Sequence, residues 1–314
     1  MMPLMIFGKI SGVNKKISKL ILGNENQRKY SNAVELWDYW FEKGGNTFDS
    51  SMNYSNGKLE TFLGNWIKSR GIENEIVSIT KGGNEKSEPD QINKFINYSL
   101  ERLKLKSLDV FILHHDNTNI PTGEYIDALN QLVSKGLIKS FGASNWKINR
   151  FIKSIEWAKK NKKISFSLLN NNLSLAEMVR PMWTDSVSSN NDEYLNFLTK
   201  YKHTHLSWTS QARGFFIKEN FVKKFLRRKF MKYLKNCFNS ASNFERKARA
   251  ELLAKKYDCS ANDIALSWVI NQNFPSFGII GPKNVNHLKY TLKCLSIKLS
   301  ENELMWLNLK KNSL

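Results

Sequence analysis

Four side chains in the first 114 positions can move a proton or hold a charge beside a reacting polar group: Asp49, Tyr54, Lys81 and His114. Together they suit the reduction of a carbonyl by hydride. As hydride reaches the carbonyl carbon, the oxygen becomes an alkoxide and needs a proton from a positioned acid. A tyrosine hydroxyl can supply it. Its ordinary pKa of about 10 is high for transfer at neutral pH, and a nearby ammonium such as Lys81 is expected to lower it by favouring the phenolate. Asp49 would then pair with Lys81 and fix its position, while His114 would hydrogen-bond the carbonyl oxygen. Singly, each residue has an ordinary alternative: a helix cap, a loop aromatic, a solvated lysine before the turn Gly82–Gly83–Asn84, and a histidine satisfied within an apolar strand.

What separates the two interpretations is where the chain puts these residues. Short apolar or β-branched runs alternate with longer amphipathic stretches, the pattern of a parallel sheet with helical crossovers. The runs are Lys19–Gly23, Asn46–Asp49, Glu75–Thr80, Leu108–His114, Ile138–Ser144, Lys163–Leu169, Thr204–Trp208 and Ser276–Gly281. Helices are expected at Asn32–Lys43, Gly57–Arg70, Pro89–Arg102, Glu124–Lys135, Lys147–Lys160 and Asn284–Leu292, the third with proline at its start. Eight such repeats fit a closed (β/α)8 TIM barrel, and no GxGxxG follows the first strand to support an open dinucleotide-binding sheet. The segment Met5–Ile10 is expected to form a hairpin with the chain from Ile17 onward and to close the barrel's bottom. With no linker and no longer repeat, residues 1–314 are assigned to one domain. In such a barrel the reactive groups lie at the C-terminal ends of the strands. Asp49 ends the second strand, Tyr54 follows five residues later, Lys81 ends the third and His114 the fourth, with Ser144 and Asn145 at the end of the fifth. Chance would scatter these residues over both ends.

Composition narrows the class further. The 314 residues are 41% hydrophobic and 12% aromatic, ordinary for a globular protein, and no stretch approaches the roughly 20 apolar residues that cross a bilayer. The N-terminus has neither the charged region nor the long apolar core of a signal peptide, which points to the cytoplasm. Cys237, Cys259 and Cys294 are odd in number and widely spaced, so neither a disulfide framework nor a metal site is expected. The net charge of +20 could favour nucleic acid, but the basic residues are dispersed along the chain, and nucleic-acid binding is not expected. The exception is Phe221–Lys235, dense in basic and aromatic residues. It is read as an amphipathic helix with its phenylalanines turned inward, the alternatives being contact with an acidic substrate, an anionic membrane surface or an acidic partner.

The segments Gly45–Gly64, Ile79–Gly83, Asp109–His115 and Phe141–Trp146 resemble the aldo-keto reductase family, and the similarity continues through Ser207–Phe216, Asn243–Tyr257, Ile264–Gln272 and Ile279–Leu288. The resemblance implies an NADP(H)-dependent oxidoreductase of the alcohol dehydrogenase or carbonyl reductase class, with Asp49, Tyr54, Lys81 and His114 as its tetrad. It also implies that Ser144 and Asn145 hold the nicotinamide carboxamide and that Trp208 stacks on the nicotinamide ring. Ser210, Gln211, Ala212, Arg213 and Gly214 match the loop over the pyrophosphate, and Lys283, Asn284 and His287 the segment near the adenosine 2′-phosphate. A cation at Lys283 favours NADPH over NADH. The family usually has glutamine at the end of the sixth strand; here Asn170 stands nearest, one methylene shorter. The expected substrate is a small-molecule carbonyl compound, and nothing in the sequence sets an oligomeric state. A second possibility is a cofactor-sensing or regulatory subunit with little turnover. His115 is expected behind the tetrad or facing the substrate.

Overall fold

The computed structural model describes residues 4–217 and 237–314, so the basic segment Phe221–Lys235 lies outside the described residues. Two short strands, β1 (Phe7–Gly8) and β2 (Ile17–Ser18), pair antiparallel ahead of the barrel. The parallel strands β3 (Leu20–Gly23), β4 (Thr47–Asp49), β5 (Val77–Gly82), β6 (Leu108–Leu113), β7 (Ile138–Ser144), β8 (Leu168–Asn170), β9 (Thr204–Ser207) and β10 (Ser276–Ile280) follow in order. They close into a barrel because β10 pairs with both β9 and β3. The expected (β/α)8 architecture is therefore present.

Most strand ends lie within two residues of expectation, and the sixth strand departs further. The sixth run was expected at Lys163–Leu169, but regular strand begins only at Leu168. Lys162 adopts a positive φ of 53°, and the Ile164 N–H and C=O are both taken by the side-chain amide of Asn130, which ties this stretch to a helix instead of the sheet. Ile164 is left exposed.

Alternation along the strands decides what faces the barrel axis. Ile21, Val77, Ile79, Val110, Ile112, Leu168, Leu206 and Phe277 form one inner cluster with Ile10, Val13 and Ile17 from the N-terminal hairpin, which closes the bottom as expected. Because side chains repeat with a period of two, the residues at the tops of these strands keep the same inward sense. Asp49 is two past Thr47, Lys81 two past Ile79, His114 two past Ile112, Ser144 two past Gly142, Asn170 two past Leu168 and Trp208 two past Leu206. The candidate residues thus continue the core's own inward rows.

The opposite strand faces pack against the helices. Leu20, Leu22, Phe48, Phe111, Leu113, Phe141 and Leu169 belong to a large outer cluster. It includes the apolar faces of α1 (Tyr30–Glu42), α2 (Lys58–Arg70), α3 (Ile92–Leu103), α4 (Thr122–Ser134) and α5 (Ile148–Lys160). A second cluster lies under α6 (Asp192–Tyr201), α7 (Ala241–Lys256), α8 (Ala261–Ile270) and α10 (Glu301–Leu307). Helix α9 (Val285–Leu292) follows β10. Gly64 permits the close crossing of α2 and α3, since a Cβ there would lie 2.2 Å from the carbonyl oxygen of Arg102.

Buried polar groups on the strands add a pH dependence to the fold. His205 on β9 is fully buried between the hydroxyls of Ser207 and Ser189, at 3.0 and 3.1 Å, and burial pushes its pKa down to about 3. Below its ordinary value of about 6.5, only the unfolded chain takes up this proton, so the stability it contributes at neutral pH is lost as pH falls from about 6.5 towards 3. His205→Asn should remove up to about 1.4 kcal/mol per pH unit from the acid slope of unfolding free energy, read from urea titrations between pH 7 and 5. Identical slopes in variant and parent would contradict this.

Candidate active site

The turn after β4 carries the chain back over the barrel mouth. Backbone N–H groups of Ser50 and Met52 donate to the carbonyls of Ile79 and Lys81, at 2.9 and 3.0 Å, and so bind the turn to β5. A short 3-10 turn, Tyr54–Gly57, then delivers Tyr54 before α2 starts. Ser55 and Asn56 both lie in the left-handed region, with φ of 49° and 54°. That conformation costs an L-residue roughly 1–2 kcal/mol, part of which glycine's larger unfolded-state entropy would offset. Ser55→Gly should accordingly stabilise the protein by about 0.5–1 kcal/mol, seen as a higher urea midpoint. A lower midpoint would show that the turn is not left-handed in solution.

The four candidates meet. Lys81 and Asp49, both buried, form an ion pair, and Lys81 Nζ also donates to the Ser50 carbonyl at 3.0 Å. The same ammonium lies 5.4 Å from the centre of the Tyr54 ring. The Tyr54 and His114 rings meet edge to face, 6.1 Å apart at 82°. Burial raises the Asp49 carboxyl's pKa, opposed by Lys81 and assisted by Glu25. Burial likewise lowers the His114 pKa well below the usual imidazole range, and Lys81 and His115 act in the same direction. His114 is neutral at pH 7.

Tyr54 corrects the sequence expectation. Its pKa is not lowered by Lys81; it is raised well above 10, first by burial, then by the Asp49 and Glu25 carboxylates, with Arg213 opposing. Tyr54 is half-buried at the cavity wall. Because Lys81 is paired with Asp49, the ammonium and carboxylate fields largely cancel at the phenol, and desolvation decides the direction. Tyr54 therefore holds its proton throughout the neutral range.

These residues line a cavity of about 1590 Å³ that also exposes Ser144, Asn145, Asn170, Trp208, Ser210, Gln211, Arg213, Gly214, Lys283 and His287. Ser144 Oγ donates to the Asn170 carbonyl at 2.7 Å. Asn145, with φ of 58°, donates to the His114 carbonyl at 3.4 Å and accepts from the Val187 N–H at 3.3 Å. Asn170 donates to the Leu206 carbonyl at 2.8 Å, whereas its Oδ1 is buried with no partner among the described residues. The same holds for Trp208 Nε1. Ser210 Oγ donates to the Ile279 carbonyl, and Arg213 lies over the Trp183 ring. Two candidates stand apart from the cavity lining. Ala212 is buried in the second core cluster, and Asn284 caps α9 by accepting from the His287 N–H at 2.9 Å.

Other lining groups escape the strand-end pattern. Glu25 and Asn26 follow β3, and the same rule applied to the first barrel strand would have found them. Trp183 and Asp185 come from the long connection between β8 and α6, where no periodicity marks them. Trp183 packs edge-on against Trp208, with ring centres 5.4 Å apart, and Asp185 pairs with His115. His115 itself stacks on His114 at 4.7 Å, behind the tetrad and at the cavity wall. Ser51 and Asn53, in the turn that carries Tyr54, both approach His114. Among the described residues no cluster of His, Cys, Asp or Glu could hold a metal ion, and no helix is long and apolar enough to cross a membrane.

Comparison with known proteins agrees with the barrel fold. Residues 19–308 match the model of the Aldo/keto reductase family. The NADP(+) aldo-keto reductase yakc of Schizosaccharomyces pombe is 26% identical over 291 residues, covering 88% of this chain and 79% of the relative. Norsolorinic acid reductase B of Dothistroma septosporum is 26% identical over 288 residues, covering 86% and 70%. Among solved structures, the glycerol dehydrogenase AKR11B4 from Gluconobacter oxydans shares the fold with a TM-score of 0.75 at 20% identity, over 96% of this chain and 94% of that one.

Proposed function

The chain belongs to the aldo/keto reductase family, and from that membership we propose that it is an NADPH-dependent oxidoreductase that reduces an aldehyde or ketone to the alcohol, with Tyr54 as proton donor. The observation that carries this reading is the convergence of Tyr54, the Asp49–Lys81 pair and neutral His114 on the wall of one large cavity. Its volume exceeds the roughly 300–1,000 Å³ of ordinary ligand pockets, room for a dinucleotide beside a substrate.

The residues fit a nicotinamide cofactor. A carboxamide offers an N–H₂ donor and a C=O acceptor, and the unpartnered Asn170 Oδ1 on the wall is a buried acceptor beside Ser144. Asn145 and Trp208 complete that end. Ser210, Gln211, Arg213 and Gly214 would hold the phosphates, while Lys283 and His287 would meet the adenosine 2′-phosphate and favour NADPH. When bound, the reduced nicotinamide supplies the hydride.

The chain's own groups do the rest. His114, being neutral, can donate one N–H to the carbonyl oxygen and orient it without adding a charge. As negative charge develops on that oxygen, the Tyr54 hydroxyl delivers its proton. The resulting phenolate lies beside the Lys81 ammonium, which Asp49 and the Ser50 carbonyl hold in place. A raised Tyr54 pKa keeps the donor protonated until negative charge develops on the substrate oxygen.

The test is oxidation of NADPH by the purified chain across aldehydes, ketones and phosphorylated sugars, with NADH as control. Turnover with at least one carbonyl compound, and a lower kcat/KM with NADH, is expected. NADPH binding without turnover anywhere in the panel would overturn the catalytic reading.

A further inference from the structure

Neutral imidazole has one N–H and one bare nitrogen, and which nitrogen carries the hydrogen is set by what the other one meets. His114 Nδ1 faces the turn after β4, 3.1 Å from Ser51 Oγ and 3.5 Å from Asn53 Nδ2. The opposite nitrogen, Nε2, has no partner among the described residues, and His114 lines the cavity.

Ser51 is fully buried and has a single hydrogen to give, with two acceptors in reach: the Lys81 carbonyl at 3.2 Å and His114 Nδ1 at 3.1 Å. The Lys81 carbonyl already accepts the Met52 N–H at 3.0 Å. Ser51 Oγ in turn already accepts the Asn53 N–H at 3.2 Å. Asn53 Nδ2 donates to the Gly83 carbonyl at 3.2 Å, leaving only its long contact for the ring. If Ser51 gave its hydrogen to Lys81, that carbonyl would be doubly served and Nδ1 would have to supply its own hydrogen.

We propose that Ser51 donates its hydroxyl hydrogen to Nδ1 of His114 and so holds the imidazole in the tautomer whose hydrogen is on Nε2, facing the cavity. Ser51 is thus a positioning residue that acts through His114. Its consequence for turnover rests on the proposed carbonyl reduction, in which His114 must donate to the substrate oxygen; the tautomer assignment does not.

The experiment uses the full chain labelled with nitrogen-15 at its five histidines, with long-range nitrogen–proton spectra identifying the protonated ring nitrogen and a His114→Gln sample assigning the signal. The parent should show His114 protonated on Nε2. Ser51→Ala should move the hydrogen towards Nδ1 while the His203 and His205 signals stay put. For a carbonyl substrate, kcat should fall about tenfold, the size of one lost neutral hydrogen bond, with KM for NADPH unchanged. A parent protonated on Nδ1 would overturn the proposal, as would an unchanged tautomer in Ser51→Ala, whatever happened to kcat. If the parent reduces no carbonyl yet its tautomer responds to Ser51→Ala, the positioning role stands and the proposed reduction falls.

Discussion

Tyr54→Phe should lower kcat for carbonyl reduction by about 10²- to 10⁴-fold, the usual contribution of a positioned general acid, and leave NADPH binding intact. The substitution removes one oxygen and keeps the ring, so the edge contact with His114 and the position over Lys81 survive. Binding is expected to persist because the groups proposed to hold the cofactor lie on other strands and loops. Protein fluorescence quenching by NADPH would follow binding, and single-turnover absorbance the chemistry. A variant that reduced a good aldehyde at the parent rate would exclude Tyr54 as the acid. The pH profile gives a second check on the same residue. With the Tyr54 pKa raised above 10 and that of His114 well below 6.5, neither group titrates between about pH 7 and 9, and reductive kcat should be level across that window. A steep fall there would place the acid elsewhere.

Lys81→Met should destabilise the fold by about 3–5 kcal/mol, because it leaves the buried Asp49 carboxyl without its cation. Removing one partner of a buried pair strands a charge in a medium that cannot solvate it, whereas replacing both with neutral groups of similar size is often close to neutral. The double variant Asp49→Asn with Lys81→Met should therefore recover most of the lost stability. It should not recover activity, since the Lys81 side chain that packs over the Tyr54 ring would still be missing. Urea unfolding of the parent, the single variant and the double variant separates these effects. A Lys81→Met loss below about 1 kcal/mol would mean that the pair is far better solvated than its burial implies.

Much of this was legible in the sequence because the barrel is repetitive. Hydrophobic runs located the strands, and the polar residue ending each run inherited its inward direction from the core residue two positions before it. That is how Asp49, Lys81, His114 and Ser144 are read together from the sequence, whereas Asn170, one past the expected sixth run, is reached only through the family resemblance. The sixth strand departs from expectation for a specific reason: Lys163–Phe166 looks like a strand, but Asn130, from another part of the chain, takes both backbone groups of Ile164. No short-range pattern carries that information. Trp183 and Asp185 were illegible for a similar reason, since a long connection places them by tertiary contact. Ser51 reads as an ordinary loop serine until the path of the turn is known. The Tyr54 pKa went the other way from expectation because the sequence displays Lys81 and Asp49 as separate charges, while their pairing removes most of Lys81's effect on the phenol.

The inward rows also set which mutations the gene can carry. A substitution at one strand position changes one side chain, but inserting or deleting a single residue between Ile79 and Lys81 would turn the lysine from the barrel mouth to the helix side. The same shift would present the neighbouring hydroxyl or glycine to the cavity. Loop lengths between strands and helices can drift, whereas the two-residue spacing from core to mouth cannot. The barrel strands should thus tolerate many spellings and almost no change of reading length.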